Sequence, residues 1–301
     1  MPKTETSKQS RSDAYYEALT AKIVAALETD PAGWTKPWTS LGGLPRNAIT
    51  GKRYNGSNVF WLTVAAEDAG FATPNWATYR QWAGAGAQVT KGSKSTVGMF
   101  WKIIRKTVDG EPKTFPMMRT FSLFNLDQVE VSEDATDAQK AKLEALRTPV
   151  VLTETERNAA ADAFIAATGA KVNFGGDRAF YRPSTDEITM PLARQFHSSE
   201  DFYATLAHEL THWTGAKTRL DRTGGLFGDP AYAFEELVAE LGAVFLCSHL
   251  GIAAEPRPDH AQYVASWLKA VTDNERAVYH AAAKAAKAVD LLITLTETET
   301  E

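Results

Sequence analysis

Apolar residues recur every three or four positions along much of the chain, a spacing that predicts amphipathic helices. The first such pattern, Tyr15, Leu19, Ile23 and Leu27, predicts a helix beginning after residue 12. The same periodicity, with Gly, Pro and polar caps at the ends, predicts further helices at about 57–69, 74–83, 153–168, 199–214, 230–249, 258–271 and 274–290.

Shorter runs rich in β-branched and aromatic residues predict strands between these helices. Residues 95–105 and 113–124 flank a turn at Val108-Asp109-Gly110 and predict a β-hairpin. Later strands are predicted at 170–174, 178–182 and 187–190, with turn residues between them. Because these three follow one another closely, we expect a small antiparallel meander. The pattern as a whole predicts an α+β fold.

Changes in composition divide the chain into two predicted domains. We expect a first α+β domain at 11–130 and a second, also α+β, at 150–292. Residues 131–149 are acidic and alanine-rich and predict a partly helical linker. The polar ends, 1–10 and 293–301, predict disordered tails.

Charge and aromatic residues are distributed unequally between the two domains. The 301 residues carry a formal net charge of −5, but residues 31–126 contain 12 Lys+Arg against 4 Asp+Glu. Six of the eight tryptophans lie in that window, and all six histidines lie beyond residue 130. A basic aromatic domain and an acidic histidine-bearing domain indicate two different partners.

The composition also narrows the compartment in which the protein works. Cys247 is the single cysteine, which excludes an intrachain disulfide, and its apolar neighbours predict a buried thiol. The sequence has no run of about 18 apolar residues and no apolar core near its start. We therefore expect a cytoplasmic protein without a membrane partner.

The segment HELTH contains the strongest chemical signal in the chain, the pattern His-Glu-x-x-His. On a helix, His208 and His212 lie on one face, so both imidazoles can bind one metal ion. Glu209 lies beside them and can accept a proton from a water whose pKa the ion has lowered. The predicted helix has a capping residue at Ser198 and Gly215 at its end.

Two histidines leave a metal ion in need of a third protein ligand. Glu236 and Glu240 share one face of the next predicted helix. We assign Glu236 as the ligand and Glu240 as an acceptor for a ligand histidine, and the reverse assignment stays open. Glu235 is expected to face solvent. Imidazole with one carboxylate favours a single Zn²⁺ ion, and Mn²⁺ is the alternative.

A peptidase also needs a donor for the oxyanion of the tetrahedral intermediate. His260 and Tyr263, spaced i and i+3 on the predicted helix 258–271, are candidates for that catalytic role. The alternative is that Tyr263 packs with Trp267 and Leu268 while His260 caps the helix or is exposed.

The basic domain combines the two residue types that bind single-stranded nucleic acid, aromatic rings for bases and cations for phosphates. Two short basic loops, GKRYNG and KGSK, and a basic predicted strand carry most of the candidates. The candidate contacts are Trp38, Lys52, Arg53, Tyr54, Trp76, Lys91, Lys94, Lys102 and Arg105. We expect at least half of the tryptophans in the core, and composition does not separate single-stranded DNA from RNA or duplex.

Several segments together resemble a known family. WTKPW (34–38), TGKRYNGSN (50–58), QVTKGSKS (88–95) and LFNLDQVE (123–130) resemble the N-terminal domain of the ArdC antirestriction family, which TraC-type plasmid primases share. YRPSTDEITMP (181–191), FYATLAHELTHWTG (202–215), RLDR (219–222) and YAFEELVAELGAVFL (232–246) resemble its zincin-like metallopeptidase domain.

The resemblance implies a plasmid-borne cytoplasmic protein that protects incoming conjugative DNA from host restriction. It also implies single-stranded DNA binding by the first domain. By motif position, His208, Glu209, His212 and the Glu236/Glu240 pair match the peptidase pattern.

Three functions are compatible with these features. The first is a metallopeptidase held near DNA that cuts a host protein linked to restriction, whose backbone would add to the strand 187–190. The second is a protein that shields single-stranded DNA and whose metal site is structural or vestigial. The third is a metal-dependent nuclease, which a His-Glu-x-x-His helix matches poorly.

Overall fold

The computed structural model describes residues 43–108, 111–148, 152–222, 229–253 and 277–297. In these residues the chain divides between Leu152 and Thr153 into two compact units. Both contain helices and sheets, which confirms the α+β class. The predicted helix after residue 12 and the predicted helix 258–271 lie outside the described residues. None of the described helices is long and apolar enough to span a membrane.

The first unit contains a four-stranded sheet, a two-stranded sheet and three helices among its described residues. The larger sheet has the order β1-β2-β5-β4, with β1 parallel to β2 and the other neighbours antiparallel, while β3 pairs with β6. In chain order the elements are β1 (Arg46–Asn47), α1 (Ser57–Asp68), β2 (Asn75–Ala77), α2 (Tyr79–Gly84), β3 (Ala87–Val89), β4 (Thr96–Val108), β5 (Glu111–Asn125), β6 (Val129–Val131) and α3 (Asp137–Arg147).

Helices cover both faces of the larger sheet. Successive residues of a strand point to opposite sides, and apolar residues of β2 contact helices on each side. Trp76 of β2 packs with Leu62 of α1, whereas the next residue, Ala77, packs with Trp82 of α2 and Leu143 of α3. The antiparallel register of β4 and β5 confirms the predicted hairpin and extends it to the pair Val108 and Glu111.

Two sequence predictions for this unit are corrected. The helix predicted from residue 74 begins at Tyr79, because Asn75–Ala77 form a strand and Thr78 caps the helix by accepting a hydrogen bond from the Gln81 amide. The predicted linker 131–149 contains α3, whose Leu143 is 2% exposed within the core of this unit. A connecting segment that buries a leucine is part of the domain.

The second unit combines a three-stranded sheet with four helices in the described residues. The predicted cap of the first helix is confirmed, since Thr153 and Glu156 form a capping box. The elements are α4 (Glu154–Ala167), β7 (Lys171–Phe174), β8 (Phe180–Arg182), β9 (Glu187–Met190), α5 (Ser199–Thr214), α6 (Pro230–Leu250) and α7 (Ala277–Glu297). Helices α5, α6 and α7 pack against one another and bury the alanine-rich face of α7.

The predicted antiparallel meander is wrong. The strand order is β7-β9-β8, with β9 parallel to β7 and antiparallel to β8. Gly175 and Gly176, which follow β7, adopt positive φ angles of 150° and 76°. The segment that contains them takes the chain from β7 at one edge of the sheet to β8 at the other. Because β9 is paired on both sides, the strand 187–190 cannot accept a substrate backbone as an added strand.

The C-terminal tail is also shorter than predicted. We expected disorder from residue 293, but α7 continues to Glu297. Leu292 and Ile293 are buried, at 0% and 4% exposure, and therefore belong to the hydrophobic core.

Candidate metal centre

Helix α5 places the His-Glu-x-x-His segment inside the second unit. The Asp201 amide donates a hydrogen bond of 3.0 Å to Ser198 Oγ, which caps the helix at its start. Burial increases toward the other end, where His208 is 2% exposed and Glu209 is 4% exposed. Polar side chains at this depth need partners, and α6 supplies those of His208.

Three potential ligands converge where α5 and α6 face each other. His208 Nε2 and His212 Nε2 lie 3.1 Å apart. The two carboxylate oxygens of Glu236 lie 3.6 Å from His208 Nε2 and 3.5 Å from His212 Nε2. One ligand atom from each residue falls within 4.8 Å of the others, and this is the one such group found in the described residues.

These separations fit a single divalent ion. Two ligands bound tetrahedrally at about 2.0–2.1 Å lie roughly 3.3 Å apart, close to the three separations observed. Two imidazoles and one carboxylate also leave a coordination position open, as catalytic sites do. Both Zn²⁺ and Mn²⁺ accept this donor set, so the geometry does not choose between them.

Glu240 lies behind His208 on the side away from the three converging atoms. Its Oε1 is 3.0 Å from His208 Nδ1, and the residue is 4% exposed. A carboxylate at Nδ1 orients the ring so that Nε2 faces the centre. The carboxylate oxygens of Glu236 therefore lie beside the converging ring nitrogens, whereas Glu240 contacts His208 from the opposite side.

Glu235 occupies the equivalent place behind His212, and our expectation that it faces solvent is wrong. It is 9% exposed, and its Oε1 lies 3.5 Å from His212 Nδ1. Arg222 donates hydrogen bonds from Nε to both carboxylate oxygens, at 3.2 Å each, and from Nη2 to Oε1 at 2.9 Å. Arg222 also donates to Thr214 Oγ1 at 2.8 Å, which anchors it to α5.

Sequence analysis missed Arg222 and Glu235 as parts of this centre. Arg222 belongs to the RLDR segment (219–222). The resemblance of that segment to the metallopeptidase domain was the signal that could have identified Arg222. The sequence separation of Arg222 from His212 does not indicate that Arg222 reaches the centre, because spacing alone does not define the path of the segment between them. Glu235 was dismissed because it precedes Glu236 and was assumed to point away from it.

The centre concentrates negative charge around the two imidazoles. Burial alone would lower the pKa of His212, but its interactions with Glu235, Glu236 and Glu209 raise that pKa to about 10. Burial would raise the pKa of Glu236, yet hydrogen bonds with His208 and His212 hold it well below the usual carboxyl range. The negative charge of the carboxylates around the two imidazoles favours binding of a cation at the centre.

The candidate nucleic-acid residues are distributed over the first unit. Lys52, Lys91, Lys94 and Arg105 are exposed, and Arg53 and Tyr54 are half-buried. Trp76 is 0% exposed, so its ring belongs to the core and cannot stack on a base, which corrects its assignment. Lys102 lies on β4 opposite Met117, and its side chain is not among those described. Trp38, His260 and Tyr263 lie outside the described residues.

The second unit has the features of one class of protein. A His-Glu-x-x-His helix, a glutamate from the following helix and a small sheet beside them define a zincin-like metallopeptidase domain. Residues 159–284 match the family model of a zincin-like metallopeptidase, and residues 13–150 match the N-terminal domain of anti-restriction factor ArdC.

Comparison with known proteins gives the family. The crystal structure of antirestriction ArdC protein from plasmid R388, metal-free, aligns with a TM-score of 0.74 at 36% identity and covers 94% of this chain and 98% of that one. Its Mn(II)-bound structure aligns with a TM-score of 0.71 at 37% identity, covering 93% and 97%. The chain therefore belongs to the ArdC antirestriction family.

Two curated relatives extend the comparison. The uncharacterized protein y4eC of Sinorhizobium fredii (strain NBRC 101917 / NGR234) is 38% identical over 95% of this chain and 94% of its own length. DNA primase TraC of Escherichia coli is 37% identical over 93% of this chain. The chain spans only 27% of that primase, so the similarity concerns a segment of it.

Proposed function

We propose that this chain is a cytoplasmic antirestriction protein with two activities, single-stranded DNA binding by its first unit and metal-dependent peptide hydrolysis by its second. The observation that carries the peptidase proposal is the convergence of His208, His212 and Glu236 beside the buried Glu209. The basic balance of residues 31–126 and the match to the ArdC N-terminal domain support the DNA-binding proposal.

In this proposal, each residue at the centre has a distinct chemical role. A divalent ion held by His208, His212 and Glu236 would lower the pKa of a water molecule and polarise a peptide carbonyl. Glu209 would accept the proton of that water and pass it to the leaving amine. Glu240 and Glu235 hold the two imidazoles from behind, which keeps their Nε2 atoms facing the same point.

The edge strand β8 is the surface on which we place an extended peptide substrate. Among the described strands of this sheet, β8 is paired only with β9, so its other edge can accept a further strand. Arg219 ties the β8–β9 turn to the end of α5, because it donates from Nη1 to Asp186 at 3.0 Å and from Nε to the Trp213 carbonyl at 2.7 Å. Trp213 directly follows His212, so the β8–β9 turn is tied to the helix segment that carries both histidines.

A plasmid transfer assay tests the peptidase proposal. Unmethylated plasmid DNA enters a restricting recipient as a single strand, with wild type or Glu209→Gln present at equal protein levels. We expect Glu209→Gln to lose protection while it still binds a metal ion. Glu200→Gln, a change on the same helix near its start, serves as the matched control and should protect normally. Full protection by Glu209→Gln would contradict a catalytic role in antirestriction.

The excess of basic residues in the first unit supports a second candidate, protection by DNA occupancy alone. Restriction enzymes require duplex, so a protein bound to the entering strand would delay them. Replacing Lys52, Arg53, Lys91 and Lys94 by glutamine would then abolish protection, whereas Glu209→Gln would not. Binding should also weaken steeply with added salt. A flat salt response would contradict this second candidate.

A further inference from the structure

One face of the β4–β5 hairpin carries aromatic side chains beyond the part covered by α1. Gly98 of β4 lies opposite Phe121 of β5, and Phe100 lies opposite Arg119. Residues two apart on a strand share a face, so Phe100, Phe121 and Arg119 all lie on the same side of the hairpin. Leu123 continues this face into the core under α1.

Gly98 lets the Phe121 ring lie across β4. A β-carbon at position 98 would come within 2.6 Å of the Phe121 ring, so this close approach is open only to glycine. Aromatic rings commonly cover glycines across a strand pair in this manner. Phe121 therefore extends across Gly98 of β4 while its half-buried ring also packs against the core at Leu123.

Phe121 is the middle member of a row of three rings. Its centroid lies 5.9 Å from that of Phe100 and 6.4 Å from that of Tyr54, with the Tyr54 ring inclined by only 23° to it. Tyr54 packs at the margin of the core, whereas Phe100 is 44% exposed. Tyr54, Phe121 and Phe100 are called the stacking row below.

Exposed cations lie close in sequence or strand register to both end members of the stacking row. Lys52 precedes Tyr54 by two residues, and Arg119 is the cross-strand partner of Phe100, and both side chains are exposed. Exposed aromatic rings beside cations are suited to a flexible polyanion that carries flat rings, since every base has a face to stack and every phosphate a charge to pair. An apolar protein partner would leave Lys52 and Arg119 unpaired and desolvated.

We propose that the stacking row is a base-binding surface for single-stranded DNA, with Lys52 and Arg119 pairing the adjacent phosphates. This inference rests on the proposed DNA-binding function of the first unit and assigns residues to it. Phe121 and Phe100 were not candidates from the sequence, whereas Lys52 and Tyr54 were. Bases in a duplex are already stacked, so the surface selects single strands.

The test is fluorescence anisotropy of a labelled dT20 oligonucleotide with the full chain. We expect Phe100→Ala to weaken binding by about 5- to 150-fold, the range for losing one base–aromatic stack, and Phe100→Trp to retain binding. Tyr79→Ala is the matched control. Tyr79 is 49% exposed, but it packs against Phe124, which points to the opposite face of the sheet from Leu123.

Salt titration separates the two parts of the surface. Phe100→Ala should leave the slope of log K against log salt unchanged, because no phosphate contact is lost. Arg119→Ala should lower the slope by about 0.7, the value for one phosphate on a single strand. A dT20 carrying 5-iododeoxyuridine should photo-crosslink to peptides that contain members of the stacking row.

The outcomes distinguish this inference from the function on which it rests. If wild type does not bind dT20, single-stranded DNA binding itself is wrong. If wild type binds but Phe100→Ala binds equally well and crosslinks fall elsewhere, the stacking row is wrong while DNA binding stands. A parallel titration with rU20 tests whether the surface distinguishes DNA from RNA. Equal affinity for dT20 and rU20 would mean that the stacking row binds single strands of either nucleic acid.

Discussion

Gly242 of α6 lies directly against Thr211 of α5. A β-carbon at position 242 would come within 2.4 Å of Thr211 Cγ2 and 2.5 Å of its Oγ1. Thr211 cannot easily turn aside, because it is fully buried and its hydroxyl donates to the Ala207 carbonyl at 2.8 Å. The two helices that carry the metal centre therefore cross at a point where only a glycine fits.

Gly242→Ala should push α5 and α6 apart and damage both stability and metal binding. Overpacking of this kind costs about 1–3 kcal/mol of unfolding free energy. Thermal unfolding with and without Zn²⁺ measures both effects. Gly84→Ala is the control, since an added β-carbon there meets nothing within 4 Å, and it should be neutral or slightly stabilising. A Gly242→Ala variant as stable as wild type would contradict the close crossing.

Removing single ligands should decide between Glu236 and Glu240. At about 100 times its Kd, a bound Zn²⁺ or Mn²⁺ ion raises the free energy of unfolding by about 2.7 kcal/mol. We expect this gain to disappear in Glu236→Ala and His208→Ala. Glu240→Ala should weaken metal affinity by only about 10- to 100-fold, as for a group behind a ligand. Calorimetric titration gives the affinities, and the reverse ranking would make Glu240 the ligand.

The pair Arg222 and Glu235 should contribute to stability and to metal affinity in separable ways. Arg222→Met removes the guanidinium hydrogen bonds from the buried Glu235 carboxylate, leaves it with His212 alone, and should cost about 3–5 kcal/mol. Adding Glu235→Leu removes that stranded charge and should restore most of the stability. Metal affinity should stay reduced in the double variant, because His212 has lost the carboxylate at Nδ1.

Denaturant unfolding and metal titration on the same three proteins test this separation. If the double variant bound metal like wild type, Glu235 would have no part in positioning His212. If Arg222→Met alone were as stable as wild type, the hydrogen bonds of Arg222 to Glu235 would be without energetic consequence.

Cys247 should be unreactive in the folded protein. Its side chain is 0% exposed, which confirms the burial expected from its apolar neighbours, and burial raises the pKa of the thiol to about 12. Thiolate is the reactive form, so a disulfide reagent at pH 8.5 should modify the chain only after unfolding. Rapid modification of the native protein would contradict the observed packing.

The same thiol should make stability depend on alkaline pH. Its pKa is about 12 when folded against an ordinary thiol value of 9.0, so above pH 9 the unfolded chain releases a proton that the folded chain keeps. This contribution to stability is complete below pH 9 and is lost at about 1.4 kcal/mol per pH unit as pH rises toward 12. Cys247→Ala should lack this loss, as denaturant titrations at pH 8 and pH 10 would show.

The sequence by itself determined the features that depend on local geometry. Helix α5, its cap at Ser198 and the shared face of His208 and His212 follow from a fixed spacing of 3.6 residues per turn. The capping box at Thr153 and the β4–β5 hairpin were also predicted, because both depend on residues that are close in the chain. These features involve residues that are near one another in the chain, so composition and spacing are sufficient to define them.

Only the tertiary structure decided the relations between distant residues. Strand order in the second unit, the burial of Trp76, the contact of Arg222 with Glu235 and the row formed by Phe121 and Phe100 all depend on which surfaces meet in the folded chain. A strand pattern specifies which residues share a face, but it does not specify the neighbouring strand. The shared face of His208 and His212 was therefore predictable from spacing within one helix, whereas the contacts of Arg222 and Glu235 at the centre required the fold.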